Sequence, residues 1–175
     1  MSQRGHTLPE LAAALTVAAI LVGLAVPGFE RFLLDSRLTA EVNAFVGAVQ
    51  RARSEAAKRA RPIVLCKTVD FERCGGSDID YHAGWMVFVD QDGEKPVSRS
   101  PDEPLIVAHR PTFGGTISAN RALFEFRPFR TRSTNGTVTF CDRRGEVSAR
   151  AVIVSYTGRP RVATHGPGRP LTCPG

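Results

Sequence analysis

Near its C-terminus the chain reads Gly158-Arg159-Pro160-Arg161. Gly158 permits a tight turn with positive φ. Pro160 fixes its own backbone and keeps Arg159 out of the helical region. The two arginines are therefore expected on a stiff, extended loop. Guanidinium forks suit phosphate oxygens bidentately. With no helix to read a groove, such a loop predicts contacts to the DNA backbone alone, hence weak, salt-sensitive binding to any sequence. Arg143, Arg144, Arg150 and Arg169 are candidate additions to the patch. Two plainer readings stand beside this one. Arg143-Arg144-Gly145 is equally a solvated hairpin turn, and Arg159 and Arg161 could pair with acids of their own domain.

Other residue types with chemical potential read differently. Asp90-Gln91-Asp92-Gly93-Glu94 alternates carboxylates before a glycine, as a calcium loop does, but lacks that loop's remaining ligands. A polar hairpin turn with Asp-Gly at its tip is favoured. His82 and His109 have no ligand-like companions in sequence. Trp85 and Phe88 sit at strand spacing and read as core or sheet-face residues. Phe124, Phe126 and Phe129 are candidates for stacking on exposed bases, although the first two share a strand face and favour core packing. No nucleophile elbow, phosphate-binding loop or metalloprotease helix is present, so the expectation is no enzyme, no cofactor and no metal.

Four cysteines, Cys66, Cys74, Cys141 and Cys173, allow three pairings. Their spacing matches no usual zinc pattern. An exported domain favours disulfides: Cys66–Cys74 closing a small loop and Cys141–Cys173 pinning the tail. Two pairs of free buried thiols are the alternative.

The N-terminus carries a third kind of chemistry. A basic leader, Met1 to Gly5, runs into His6-Thr7-Leu8-Pro9-Glu10, and then Leu11 to Val26 is almost wholly apolar. About 20 such residues suffice to cross a bilayer as a helix. Glu10 stands at the entry end, where an ionisable group is expensive in lipid and usually has a partner. A secretory signal has its small-residue cleavage site after the apolar core. Here Gly5 precedes the core, so cutting there would leave the helix on the mature chain.

These groups need elements to position them. The 175 residues suggest one domain after a membrane segment. Gly23, Pro27 and Gly28 are expected to weaken or kink the helix. Beyond them Leu34, Leu38, Val42, Phe45, Val49, Ala52 and Ala56 recur on one helical face. Arg31, Asp35, Glu41, Arg51, Glu55 and Lys58 fall opposite. Pro62 should end the helix near Ala60. Short β runs follow at 63–66, 85–89, 105–108, 116–118, 123–126, 137–141, 151–155 and 161–163, between Gly, Pro and Asp punctuation. The formal charge of +6 is uneven: residues 110–175 hold 11 Arg, no Lys and 3 acids, net +8, against net −2 before them. That asymmetry points to an anionic partner, nucleic acid or lipid head groups, or else to a solvated basic face.

The Gly5/Glu10 spacing before the apolar run resembles the class III leader of type IV pilins and type II secretion pseudopilins. Pro27 falls in that family's helix-kinking region. His6 departs from the usual Phe or Met at the mature start, and Pro9 from the usual aliphatic. Gly84-Trp85-Met86-Val87-Phe88-Val89-Asp90-Gln91-Asp92-Gly93 resembles the strand-turn signature of the GspH/FimT family. Ala151 to Thr157 followed by Gly158-Arg159-Pro160-Arg161 resembles the strand and Gly-Arg-x-Arg motif of FimT-type minor pilins. The resemblance implies an α+β, pilin-like fold, a long N-terminal helix packed on a small antiparallel β-sandwich. It implies a cleaved leader at 1–5, a transmembrane or pilus-core helix at 6–27, an amphipathic helix at 28–60 and a globular β domain at 61–175. A prepilin peptidase would cut after Gly5 and methylate His6, and Glu10 would serve docking among other pilins. The chain would sit in the inner membrane with its domain in the periplasm, then on the pilus surface. The FimT branch is linked to DNA capture in natural transformation; the alternative is a structural minor pilin or a GspH-like secretion pseudopilin that does not bind DNA.

Overall fold

A computed structural model describes residues 8–94, 96–128 and 132–174, with the backbone alone at 24, 25 and 27. The leader, Gly5, His6 and Phe129 lie outside the described residues. Helix α1 spans Leu8–Arg59 and is helical through Gly23, Pro27 and Gly28. It stops where Ala60 adopts φ 52°, the left-handed conformation that closes many helices, and Pro62 prevents its resumption.

The chain divides into two compact units, Met1–Arg37 and Leu38–Gly175. In the first, the described part of α1 is long and apolar enough to cross a membrane, and its described side chains are exposed except for half-buried Leu34. The second holds eight strands in two antiparallel four-stranded sheets. One sheet contains β1 (Ile63–Lys67), β2 (Trp85–Val89), β3 (Leu105–His109) and β5 (Leu123–Phe126), in the order β3-β2-β1-β5. The other contains β4 (Thr116–Ala119), β6 (Gly136–Cys141), β7 (Arg150–Val154) and β8 (Pro160–Thr164), in the order β4-β6-β7-β8. Each strand lies within one residue of its expected bounds. A 3₁₀ turn, Glu146–Ser148, interrupts the connection from β6 to β7.

Both sheets and the second half of α1 share one core. Leu38, Val42, Phe45, Val49, Ala52 and Ala56 are buried as the helical periodicity predicts, and Ala48 joins them. Phe45 is its hub, edge-on to Trp85, Tyr81, Phe140 and Phe124 at 5.4–6.2 Å. Phe124 and Phe126 are fully buried there, which removes them as stacking surfaces. Strands β1 and β2 are buried at every position. Their outer face, Val64, Cys66, Met86 and Phe88, is covered by Phe71, Cys74, Val97 and Leu123. Cover on both faces explains their unbroken apolar sequences.

On the charged face of α1, Glu41 and Glu55 are buried. Glu41 faces His109 (Nε2 to Oε2, 2.8 Å) and accepts the Thr112 backbone N–H at 2.9 Å. Glu55 accepts the Arg59 Nε–H at 2.7 Å, with Arg51 and Lys58 alongside. That hydrogen bond leads in holding the Glu55 carboxyl below its ordinary range, against desolvation.

Both disulfides form as paired in the sequence reading, Cys66–Cys74 and Cys141–Cys173. The second anchors the tail on the outer face of β6 and β7. Leu171 packs there with Cys141, Ala149 and Ala151, and its N–H donates to His165 Nδ1 at 3.1 Å.

Candidate nucleic-acid interface

The β7–β8 hairpin carries the two motif arginines. Its turn is closed by the Gly158 N–H donating to the Ser155 carbonyl (2.8 Å) and the Ser155 N–H donating to the Arg159 carbonyl (3.1 Å). Ser155 Oγ also accepts the Arg159 N–H at 3.2 Å. Gly158 takes φ +70° and is buried. A Cβ there would stand 3.0 Å from Arg53 Cδ and 3.1 Å from Phe126 Cδ1, so conformation and space both require glycine. Pro160 opens β8, the edge of its sheet. Arg161 is thus a strand residue rather than a loop residue, opposite Ile153. Strand alternation turns its side chain away from the core face that holds Val152 and Val154.

Arg159 and Arg161 are both exposed. Among the described residues no carboxylate engages either guanidinium. Sequence composition favours this: Glu146 is the last acidic residue of the chain.

The wider patch expected from sequence does not assemble as one surface. Arg150 pairs with Phe140 and Thr164 in register; its side chain turns to the helix and donates to Thr39 Oγ1 at 2.6 Å. It leaves the candidate set, because it shares the strand face of core residues Val152 and Val154 and is held against the helix. Arg143 and Arg144 lie in the turn before β7, at the far end of that strand from Arg159. Five strand residues separate the two ends, about 17 Å. Arg144 forks onto buried Asp142, Nη2 to Oδ2 at 2.6 Å, and the Gly145 N–H closes the turn on the Asp142 carbonyl at 3.0 Å. Burial pushes the Asp142 carboxyl up, but hydrogen bonds from the Arg144 side chain and backbone, with the charges of Arg144 and Arg143, outweigh it and hold it below its ordinary range. Arg169 faces Gly166 across a turn after β8, also at that far end.

Residues the sequence reading did not single out gather instead near Arg159. Arg53 of α1 lies over Gly158. Tyr156 is exposed on the hairpin, the Arg132 guanidinium lies 5.6 Å from its ring centroid, and its carbonyl accepts the Ser133 N–H at 2.6 Å. The signal for Tyr156 was present in sequence, an aromatic two residues before the turn glycine. For Arg53 and Arg132 there was none, since only tertiary structure brings them there.

The Asp90–Glu94 stretch makes polar turns, with the Gly93 N–H donating to Asp90 Oδ1 at 2.8 Å and the Glu94 N–H to Asp92 Oδ1 at 3.0 Å. It is not a tight hairpin: β2 and β3 pair across residues 90–104. Carboxylate oxygens of Asp90, Asp92 and Glu103 come within 4.8 Å of one another. The Glu103 carboxylate accepts the Gln91 and Ser100 N–H groups, so these acids serve the loop's own backbone.

One long apolar helix continued into a domain of two small antiparallel sheets is the architecture of a pilin. A family model described as type II transport protein GspH matches residues 41–158, and the chain belongs to that family: it is a type IV minor pilin or pseudopilin of the GspH/FimT type. Among solved structures, the type IV minor pilin FimU of Pseudomonas aeruginosa is similar at 20% identity, over 82% of this chain and 96% of that one, with a TM-score of 0.51. A second crystal form of FimU gives 20% identity, 80% and 98% coverage and a TM-score of 0.49. No match was found among curated proteins. At that identity the likeness to FimU is one of fold.

Proposed function

We propose that this pilin is of the FimT kind, a subunit that binds extracellular DNA through Arg159 and Arg161 and serves its uptake in natural transformation. The observation that carries the reading is a pair of exposed guanidinium groups on a rigid hairpin, with no carboxylate engaging either among the described residues. Arg159 closes the turn and Arg161 follows two residues on, inside β8, which sets two cations at one end of the hairpin for neighbouring phosphates. Binding is sequence-independent. Other machinery retracts the pilus and draws the DNA inward.

Full-length protein in non-ionic detergent, titrated with a random-sequence duplex over a range of salt, tests this. Binding should weaken with salt. The Arg159→Ala/Arg161→Ala double variant should lose about tenfold or more in affinity, and the slope of log K against log salt should fall by about two, one per phosphate contact. Equal binding by a folded double variant removes the motif as the binding site.

The same reading places the leader peptide at residues 1–5. A prepilin peptidase cuts after Gly5 and methylates His6, in the inner membrane with the globular unit in the periplasm. Glu10, in the first turn of α1, then pairs with the N-terminal amine of a neighbouring pilin, which offsets the burial of both charges. Intact-mass measurement of the exported protein should show a methylated chain starting at His6; an uncut Met1 terminus would overturn that step.

The family's description as a type II transport protein favours a second reading, a pseudopilin of a secretion apparatus whose basic surface binds no DNA. Wild-type protein that fails to bind DNA at low salt would decide for it.

A further inference from the structure

We infer that the β7–β8 hairpin takes single-stranded DNA, with a base stacked on Tyr156 and the adjoining phosphates on Arg159 and Arg161. The inference rests on the DNA-binding reading above and narrows its substrate.

Tyr156 is 56% exposed. Among the described Phe, Tyr and Trp residues from Leu38 onward it is the only exposed ring. An exposed ring offers an apolar face on which a base can stack, and its phenol end can stay in water. This turn is structured: three backbone hydrogen bonds, at 2.6–3.1 Å, fix residues 155, 156, 158 and 159 to each other and to Ser133. The backbone that carries the ring is therefore fixed, and a tyrosine has only two side-chain torsions to order, so stacking on it forfeits little entropy.

Its neighbours are cationic. Arg132 lies over the ring, Arg159 follows three residues on, and the hairpin from Ser155 to Thr164 contains no acid. Aromatic rings beside a positive groove are how proteins hold single strands without regard to sequence, since every base has a π-face. An arginine plane against the ring extends the stacking surface. A closed duplex offers this site phosphates but no free base face, because each base is already stacked on its neighbours. Only a single strand satisfies both the arginines and the tyrosine.

The test uses full-length protein in non-ionic detergent with two probes, a fluorescein-labelled oligothymidine and a relaxed, covalently closed circular duplex as its competitor. Variants are Tyr156→Ala, Tyr156→Leu and Tyr156→Phe, with thermal melting to confirm folding at this exposed position. Tyr156→Ala and Tyr156→Leu should weaken oligothymidine binding roughly five- to a hundredfold and leave duplex binding within about twofold, and Tyr156→Phe should match wild type. If the alanine and leucine variants bind oligothymidine as wild type does, or lose both probes equally, stacking is overturned while the arginine reading stands. If Tyr156→Phe fails alongside alanine, the hydroxyl and not the ring acts, which also overturns it. Wild type that binds neither probe is the separate failure of the DNA reading itself.

Discussion

Asp142 shows how much one residue's surroundings set its role. Its carboxylate is almost fully buried and accepts three side-chain hydrogen bonds from Arg144, one at Oδ1 and two at Oδ2, at 2.6–3.2 Å. Its folded pKa is lowered below the unfolded value of about 3.9. A depressed carboxyl stabilises the fold above the unfolded pKa, and that contribution is lost as pH falls through the folded pKa. Thermal melting of wild type should therefore decline below about pH 4. Asp142→Asn should lower the melting temperature at neutral pH and narrow its gap to wild type as pH drops. A constant gap across the acid range would mean the Arg144 fork contributes nothing. The same geometry decides which arginines of the sequence reading remain candidates. Arg159 and Arg161 could be read from sequence because Gly158 and Pro160 dictate their local backbone. Arg150 could not: alternation puts it on the same strand face as core residues Val152 and Val154, and only the tertiary fold brings Thr39 of the helix there to meet it.

At the level of elements, punctuation by Gly, Pro and Asp made all eight strands legible to within one residue. The helical repeat likewise exposed the buried face of α1. What periodicity does not contain is the partner. Glu41 falls on the polar side by spacing, yet His109 and Thr112, 68 and 71 residues away, bury it. The 3₁₀ turn at Glu146–Ser148 and the loop at 90–104 depend on individual hydrogen bonds of the same kind. The tail was legible because a cysteine sits in it. Cys141–Cys173 closes a span of 32 residues, worth roughly 3–4 kcal/mol on the chain-entropy account. Cys141→Ser/Cys173→Ser should lower the melting temperature, free Leu171 from Ala149 and Ala151, and open the tail to chymotrypsin at Leu171. Cys66→Ser/Cys74→Ser, across a span of 8, should destabilise less. A tail that stays protected without its disulfide would mean that Leu171 and His165 hold it alone.

For the whole molecule the division of labour is between two solvents. Every residue of the main core is Leu38 or later, so the globular unit contains its own apolar interior, helix face included. Residues before it expose Leu11, Leu15, Val17, Ile20, Leu21, Val22, Val26, Phe29 and Phe32, a continuous apolar surface that in water favours association and in a bilayer or a bundle of like helices is at home. A chain cut to begin at Leu34 should therefore be monomeric without detergent and melt cooperatively, whereas the full chain should need detergent to stay dispersed. Trp85, the single tryptophan, is fully buried against Phe45 and stacked on His109 at 4.3 Å, and reports directly on packing. Its near-ultraviolet dichroism should be the same in the cut and full chains. A cut chain that keeps helix and strand signals but loses the Trp85 signal would be a molten state, and would show that the core needs the first 33 residues to order it.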